Sequence, residues 1–170
     1  MLTLKSDKKF VELLGKIPNV AVQGYNKNRV VIYWNKASEL IYGYSQEEAL
    51  GKKLEDLIIP NSMRNDVIGF IDDWYTNGVI IPSGELPLKH KNGSTVHVYS
   101  SHVMLDEDTS EPELFCLDVN ITESKKQEKE LQEKEKQLYA QSKMASMGEM
   151  IGNIAHQWRQ PLNAISTASS

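Results

Sequence analysis

Between Ser142 and Ser166 the apolar residues Met144, Met147, Ile151, Ile154 and Trp158 recur at steps of three, four, three and four. That spacing is one face of an α-helix, not the every-second-residue alternation of a strand. Successive residues turn by about 100° around a helix axis. His156 therefore falls nearly opposite Met147, on a polar side shared with Glu149, Asn153, Arg159, Gln160 and Asn163. A histidine placed there is expected to be exposed, with a free ring nitrogen. Pro161 follows within the same pattern and has no N–H for the carbonyl of Gln157, so the helix is expected to bend there. Imidazole near neutral pH is partly unprotonated and can attack a phosphorus centre. From helical phase alone, a histidine on the polar side of a helix is usually a solvated side chain without a role.

The residues before this helix, Glu123 to Lys143, are dense in Glu, Lys and Gln. Glu130 and Lys134 have the spacing of a supporting i,i+4 pair. Leu131 and Leu138 are one heptad apart, as in a two-stranded coiled coil. A single solvated helix is the plainer alternative, but the seam continues from Met144, so pairing is expected. Leu138 to Met144 is six residues, a break of heptad phase at which a coiled coil can change packing.

The rest of the chain mixes strand and helix signals. Phe10, Leu13, Leu14 and Ile17 share one face of a short N-terminal helix, capped by Ser6 or Asp7 and closed by Gly15 and Pro18. Val20 to Tyr25 and Arg29 to Trp34 are β-branched and aromatic runs with the turn Asn26-Lys27-Asn28 between them. Asn35 is placed to cap a helix through Leu40 and Ile41, and Ser45-Gln46-Glu47-Glu48 is a capping box. A further short helical piece spans Lys53 to Ile58. From Asn61 or Ser62 a longer helix carries the stripe Met63, Val67, Phe70, Ile71 and Trp74 and ends at Asn77-Gly78. Strands follow at Glu85 to His90, Thr95 to Leu105 and Glu113 to Asn120, the first two joined by an Asn92-Gly93 turn. The layout is α+β with an antiparallel sheet.

Composition excludes several classes. The 170 residues are 40% hydrophobic and 25% charged, a globular balance. A formal charge of −4 leaves no basic footprint for nucleic acid. With one cysteine, Cys116, no disulfide framework exists within the chain, and a reducing compartment fits. No run approaches the ~20 apolar residues of a membrane span, and MLTLKSDKKF has no signal-peptide core. A cytoplasmic location is expected.

Two resemblances attach to these residues. Tyr33-Trp34-Asn35-Lys36-Ala37, Tyr42-Gly43-Tyr44-Ser45 and Lys91-Asn92-Gly93-Ser94, in that order, make the region from Val20 to Thr122 resemble a PAS domain. The resemblance implies a five-stranded antiparallel sheet, short helices over one face and often a ligand cavity between. Asn120-Ile121-Thr122 stands where PAS domains commonly read Asp-Ile-Thr before a signalling helix; Asp118 is the residue expected to replace the missing charge. His156-Gln-Trp-Arg-Gln-Pro-Leu-Asn163, preceded by Met147-Gly-Glu-Met-Ile-Gly-Asn-Ile-Ala155, is similar to the H-box of two-component sensor histidine kinases. It implies that His156 accepts a phosphoryl group from ATP and passes it to an aspartate of a response regulator, with Gln157, Arg159, Gln160, Pro161 and Asn163 supporting it. Gln157 stands where that family usually has an acidic residue, and Gln160 where some members carry Thr or Asn.

The expected organisation is an amphipathic helix over 1–18, a PAS sensor domain over 19–122, a coiled-coil linker over 123–143 and the first helix of a dimerisation and histidine-phosphotransfer domain over 144–170. The expected function is the sensing and phosphoacceptor part of a cytoplasmic sensor histidine kinase. Its partners would be a second copy, a receiver domain and an ATP-binding catalytic domain. That domain is absent from these residues, so the chain alone is expected to be inactive. The alternative is a ligand-binding or dimerising PAS and coiled-coil module without phosphotransfer. The PAS ligand is open. A blue-light flavin adduct is not expected, because Cys116 lacks the Asn-Cys-Arg context, and haem is not expected, because the helix from Met63 to Asn77 has no histidine. Trp74 is a weak candidate for lining a pocket and is more simply core. His97 and His102 lie an odd number of residues apart on one strand and cannot share a metal, and His90 with His97 makes too few ligands for a structural site. His90 and His97 are expected at the surface, and no metal site is expected.

Overall fold

A computed structural model of the chain describes residues 12, 13, 15–107 and 109–168, with side chains through Arg159. Residues 12, 13, 15 and 16 are helical, and the Ile17 N–H bonds the Leu13 carbonyl at 3.0 Å. Phe10 and Leu14 of the expected N-terminal helix, with its Ser6 and Asp7 caps, lie outside the described residues.

The β-branched runs form strands β1 (Val20–Asn26) and β2 (Val31–Trp34). Their turn is longer than the tripeptide suggests, because the Asn26 carboxamide oxygen accepts from the N–H groups of both Asn28 and Val30. Helices α1 (Lys36–Tyr42), α2 (Gln46–Ala49) and α3 (Leu54–Leu57) follow. A 3₁₀ turn at Asn61–Met63 leads into α4 (Arg64–Asn77). Strands β3 (Gly84–Lys89), β4 (Thr95–Leu105) and β5 (Glu113–Asn120) complete the sheet, and α5 (Thr122–Ala168) ends the described chain.

The sheet order is β2-β1-β5-β4-β3, and every pairing is antiparallel. The last strand in sequence is thus the central one, between the first strand and the fourth. The helices α1 to α4 all fall in the connection from β2 to β3. Their apolar residues close over the inner face of the sheet, where Trp34, Tyr42, Ile58, Ile71, Trp74 and Leu114 belong to one buried core.

Local chemistry explains the helix starts. Asn35 is itself buried, and its carboxamide oxygen accepts from Ser38 N–H at 2.9 Å and from Val22 N–H at 3.0 Å. One side chain therefore caps α1 and ties it to β1. The Ser45 and Glu48 capping box forms as the spacing predicts. Arg29, at the β1–β2 turn, joins two helices: its Nε reaches Glu55 of α3 at 3.2 Å and a guanidinium nitrogen reaches Asp72 of α4.

The α4 stripe differs from the periodic expectation at one residue. Ile71 and Trp74 are buried and Met63 and Val67 pack half-buried against the core, but Phe70 is 60% exposed. It sits at the edge of the stripe, where helix phase carries it away from the sheet.

Asn120 does not make the expected link through Asp118. Its own carboxamide oxygen accepts from Thr122 N–H at 2.9 Å. The Thr122 hydroxyl oxygen accepts from His97 N–H at 3.0 Å, and Ile121 N–H donates to the His97 carbonyl at 2.8 Å. The start of α5 is therefore bonded to β4 by neutral groups, with Lys125–Glu85 as an added ion pair at 2.6 Å. Asp118 is buried on the inner face of the sheet, where its bonds go to Gln23 and Tyr42.

Gly43 ends α1 at φ 79°, and a Cβ built there would lie 2.5 Å from the His90 ring. Gly78 ends α4 at φ 69° with open space around it. Gly43→Ala should therefore lose more stability, about 2 kcal/mol or more, than Gly78→Ala, about 1 kcal/mol from backbone strain alone. Urea denaturation of both variants checks the order.

Candidate functional site

Strand register decides which side chains share the inner face. Asp118 pairs with Ala21 on one side and Ser100 on the other, and Ser100 pairs with Gly84. One row along, Cys116 pairs with Gln23 and His102. Side chains two apart on a strand share a face, so these two neighbouring rows collect Gln23, Ser100, His102, Cys116 and Asp118 in one place. Gly84 ends the upper row without a side chain.

Above this polar floor lies a cavity of about 320 Å³, walled by α3, α4 and the segment leading to β3. Its walls are apolar, with Leu54, Ile58, Met63, Val67 and Phe70 from the helices and Leu86, Leu88 and Leu114 from the sheet. The exposed Phe70 is one of its lining residues. The volume is at the lower end of the ~300–1,000 Å³ usual for small-molecule sites.

The floor is a directed network. Tyr25 O–H donates to Gln23 Oε1 at 3.3 Å, and Gln23 Nε2 donates to Asp118 Oδ2 at 3.0 Å. Tyr42 O–H donates to the same Oδ2. Ser100 Oγ is 3.1 Å from His102 Nε2. Asp118 is 1% exposed, and its Oδ1 has no hydrogen-bond partner among the described residues. Burial pushes the Asp118 carboxyl up from its ordinary value, against the neighbouring Ser100 hydroxyl, the hydrogen bonds from Tyr42 and Gln23 and the nearby His102, which pull it down. Burial raises the Tyr42 phenol well above its usual range, and the Asp118 charge adds to this. Burial likewise raises the Cys116 thiol, so it is a poor nucleophile. His102 is pushed down by burial, opposed by Asp118 and the backbone at Ile81 and Pro82.

Trp74, the weak pocket candidate, lies in the buried core and not in the cavity lining. His102, whose spacing excludes a metal site shared with His97, lines the cavity. His97 lies on the opposite face from His102, as their odd spacing requires. No group of three or more His, Cys, Asp or Glu residues capable of holding a metal occurs among the described residues. The cavity acids and histidine were missed because alternation along β4 and β5 marks them only once β5 is known to be central.

The other candidate residues lie on α5, in a unit of the chain covering 126–170 that is separate from the one covering 1–125. His156, Gln157 and Arg159 are exposed. Gln160, Pro161 and Asn163 lie within the helix, which continues to Ala168, but their side chains are outside the described set. The apolar stripe is also exposed, with Met144 at 75%, Ile154 at 49% and Trp158 at 69%. No helix among the described residues is long and apolar enough to cross a membrane.

Comparison with known proteins bears on both places. A family model described as the PAS fold matches residues 31–116. The sensor histidine kinase TmoS of Ectopseudomonas mendocina is 31% identical over 134 residues, 78% of this chain and 14% of that protein. The sensor protein FixL of Bradyrhizobium diazoefficiens is 28% identical over 161 residues, 91% of this chain and 30% of that protein. This chain thus spans less than a third of either relative. Among solved structures, a PAS domain from Colwellia psychrerythraea superposes with a TM-score of 0.60 at 22% identity, over 68% of this chain and 97% of that one.

Two outcomes follow from the floor network. Tyr42→Phe removes one donor from a buried carboxylate and should lower stability by about 1–3 kcal/mol near neutral pH. The deficit should shrink as pH falls and Asp118 protonates, as urea titrations at two pH values would show. His102 has a depressed folded-state value, so its stabilisation is present above its unfolded value of about 6.5 and is lost as pH falls through the lower folded value. Thermal melts should therefore show wild type losing more stability than His102→Gln as pH falls from about 7.5 to 5.5.

Proposed function

The chain belongs to the PAS-fold family, and on that premise we propose that it is the signal-receiving and phosphoacceptor part of a cytoplasmic two-component sensor histidine kinase. The observation that carries the reading is the coupling, in one chain, of a PAS sheet with an apolar cavity to a long helix bearing His156 in an H-box sequence. The similarity to FixL covers 91% of this chain and so extends beyond the sheet into α5. TmoS is itself a sensor histidine kinase.

In this reading a small molecule enters the cavity and bears on β5 at Asp118. Two residues on, Asn120 caps the first turn of α5, so a shift in β5 is passed to the helix start through the Asn120–Thr122 bond. Leu131, Leu138 and the exposed stripe from Met144 to Trp158 are the surface on which a second copy packs, because a 47-residue helix with that stripe in water gains stability only by burying it. His156 then stands on the outside of the paired helices.

The chemistry is nucleophilic. An unprotonated ring nitrogen of His156 attacks the γ-phosphorus of ATP, the P–N bond forms, and the bond to the ADP oxygen breaks. ATP is held by a catalytic domain outside these residues. A receiver aspartate then takes the phosphoryl group and regenerates the imidazole. Gln157, next to the nucleophile, has no basic group, so the ring proton passes to water or to the catalytic domain. Arg159 places positive charge one turn away, near the incoming phosphates.

Incubation with labelled ATP and the ATP-binding domain of the intact kinase should label wild type and leave His156→Gln unlabelled. Equal labelling of the two would remove the phosphoacceptor role and leave a ligand-binding, dimerising module.

A further inference from the structure

The cavity floor contains two buried atoms without a partner among the described residues, His102 Nδ1 and Asp118 Oδ1, and only the second belongs to a carboxylate. Asp118 Oδ2 takes two donors, from Gln23 and Tyr42, while Oδ1 of the same buried carboxylate takes none among the described residues. Ser100, the nearest hydroxyl in register, lies 3.1 Å from His102 Nε2 and close enough to Asp118 to pull its carboxyl down, but it makes no hydrogen bond to Oδ1. A buried acceptor without a donor costs about 1–3 kcal/mol. Asp118 lines the cavity, and the cavity walls are almost wholly apolar.

We propose that the cavity takes an uncharged, largely apolar molecule bearing a hydroxyl group, seated with its O–H donating to Asp118 Oδ1. This rests on the reading of the cavity as the signal-receiving site and specifies its ligand class. The volume of about 320 Å³ holds on the order of ten water-sized groups, which sets the size. The apolar body fits the Leu54, Ile58, Val67 and Leu86 walls. A ligand carboxylate would bring a second negative charge against Asp118 and lose its own hydration in the apolar chamber. An ether or hydrocarbon of the same shape would fill the walls but leave Oδ1 unpaired, and sites built to hydrogen-bond a hydroxyl reject such analogues strongly.

Three probes of matched size separate these cases: 1-octanol, its isomer heptyl methyl ether, and octanoate, each titrated calorimetrically into the full chain at pH 7.5. The expected result is that 1-octanol binds at least tenfold more tightly than the ether and that octanoate binds more weakly still. In Asp118→Asn the amide oxygen keeps the donors from Gln23 and Tyr42 and its N–H₂ faces the cavity, so the preference for alcohol over ether should shrink or reverse. Should that variant fail to fold, by circular dichroism, the wild-type comparison decides alone. Equal binding of alcohol and ether, or tighter binding of octanoate, overturns the hydroxyl class while keeping a ligand-binding cavity. Binding of none of the three overturns the sensory reading of the cavity, and this proposal with it.

Discussion

A carboxylate in the middle of a sheet must be answered by hydrogen-bond donors or be expelled from the core. Asp118 is answered on one oxygen by residues from two elements, Gln23 on β1 and Tyr42 on α1. Those two bonds make the polar floor a junction of the fold. They fix the first strand, the first helix and the last strand around one point, with sequence separations of 95 and 76 residues. The same demand makes the floor selective, since an oxygen not satisfied by the protein is available to something else.

The placement of β5 is what allows this. As the last strand in sequence it enters between β1 and β4, so its inner face meets both halves of the sheet. The register then sets Ser100 beside Asp118 and His102 beside Cys116. Asn35 does similar work at the edge, where one carboxamide bonds β1 backbone and caps α1. The two helices over the cavity, α3 and α4, have no side-chain cap, and Arg29 ties both to the β1–β2 turn through Glu55 and Asp72.

β5 also leads directly into α5. The strand ends at Asn120 and the helix begins at Thr122, with Ile121 and Thr122 bonded to His97 of β4. The exit from the sheet is thus made of neutral hydrogen bonds in which donor and acceptor geometry matters more than charge. A displacement of β5 alters those bonds first. This gives the proposed signalling route a defined starting point without requiring the Asp-Ile-Thr charge of the wider family.

The sequence alone determined the order of elements and most of their limits. Strand signals and the Asn92-Gly93 turn marked the last three strands, the Ser45–Glu48 box and Asn35 marked helix starts, and the three-four spacing marked the His156 helix, because each is a local preference carried by residues close to one another in sequence. It also supplied His156 as a candidate, since a contiguous motif needs no folding to be seen. Tertiary structure alone decided the cavity. Asp118 reads locally as a strand acid able to meet the helix start, and nothing local marks His102 for a cavity. Trp74 and Phe70 read as equal members of one stripe. Their real roles depend on which strand is central and which rows face inward. That follows from the pairing of strands distant in sequence, a long-range choice made by burial of the whole inner face and not by any one segment's own preference.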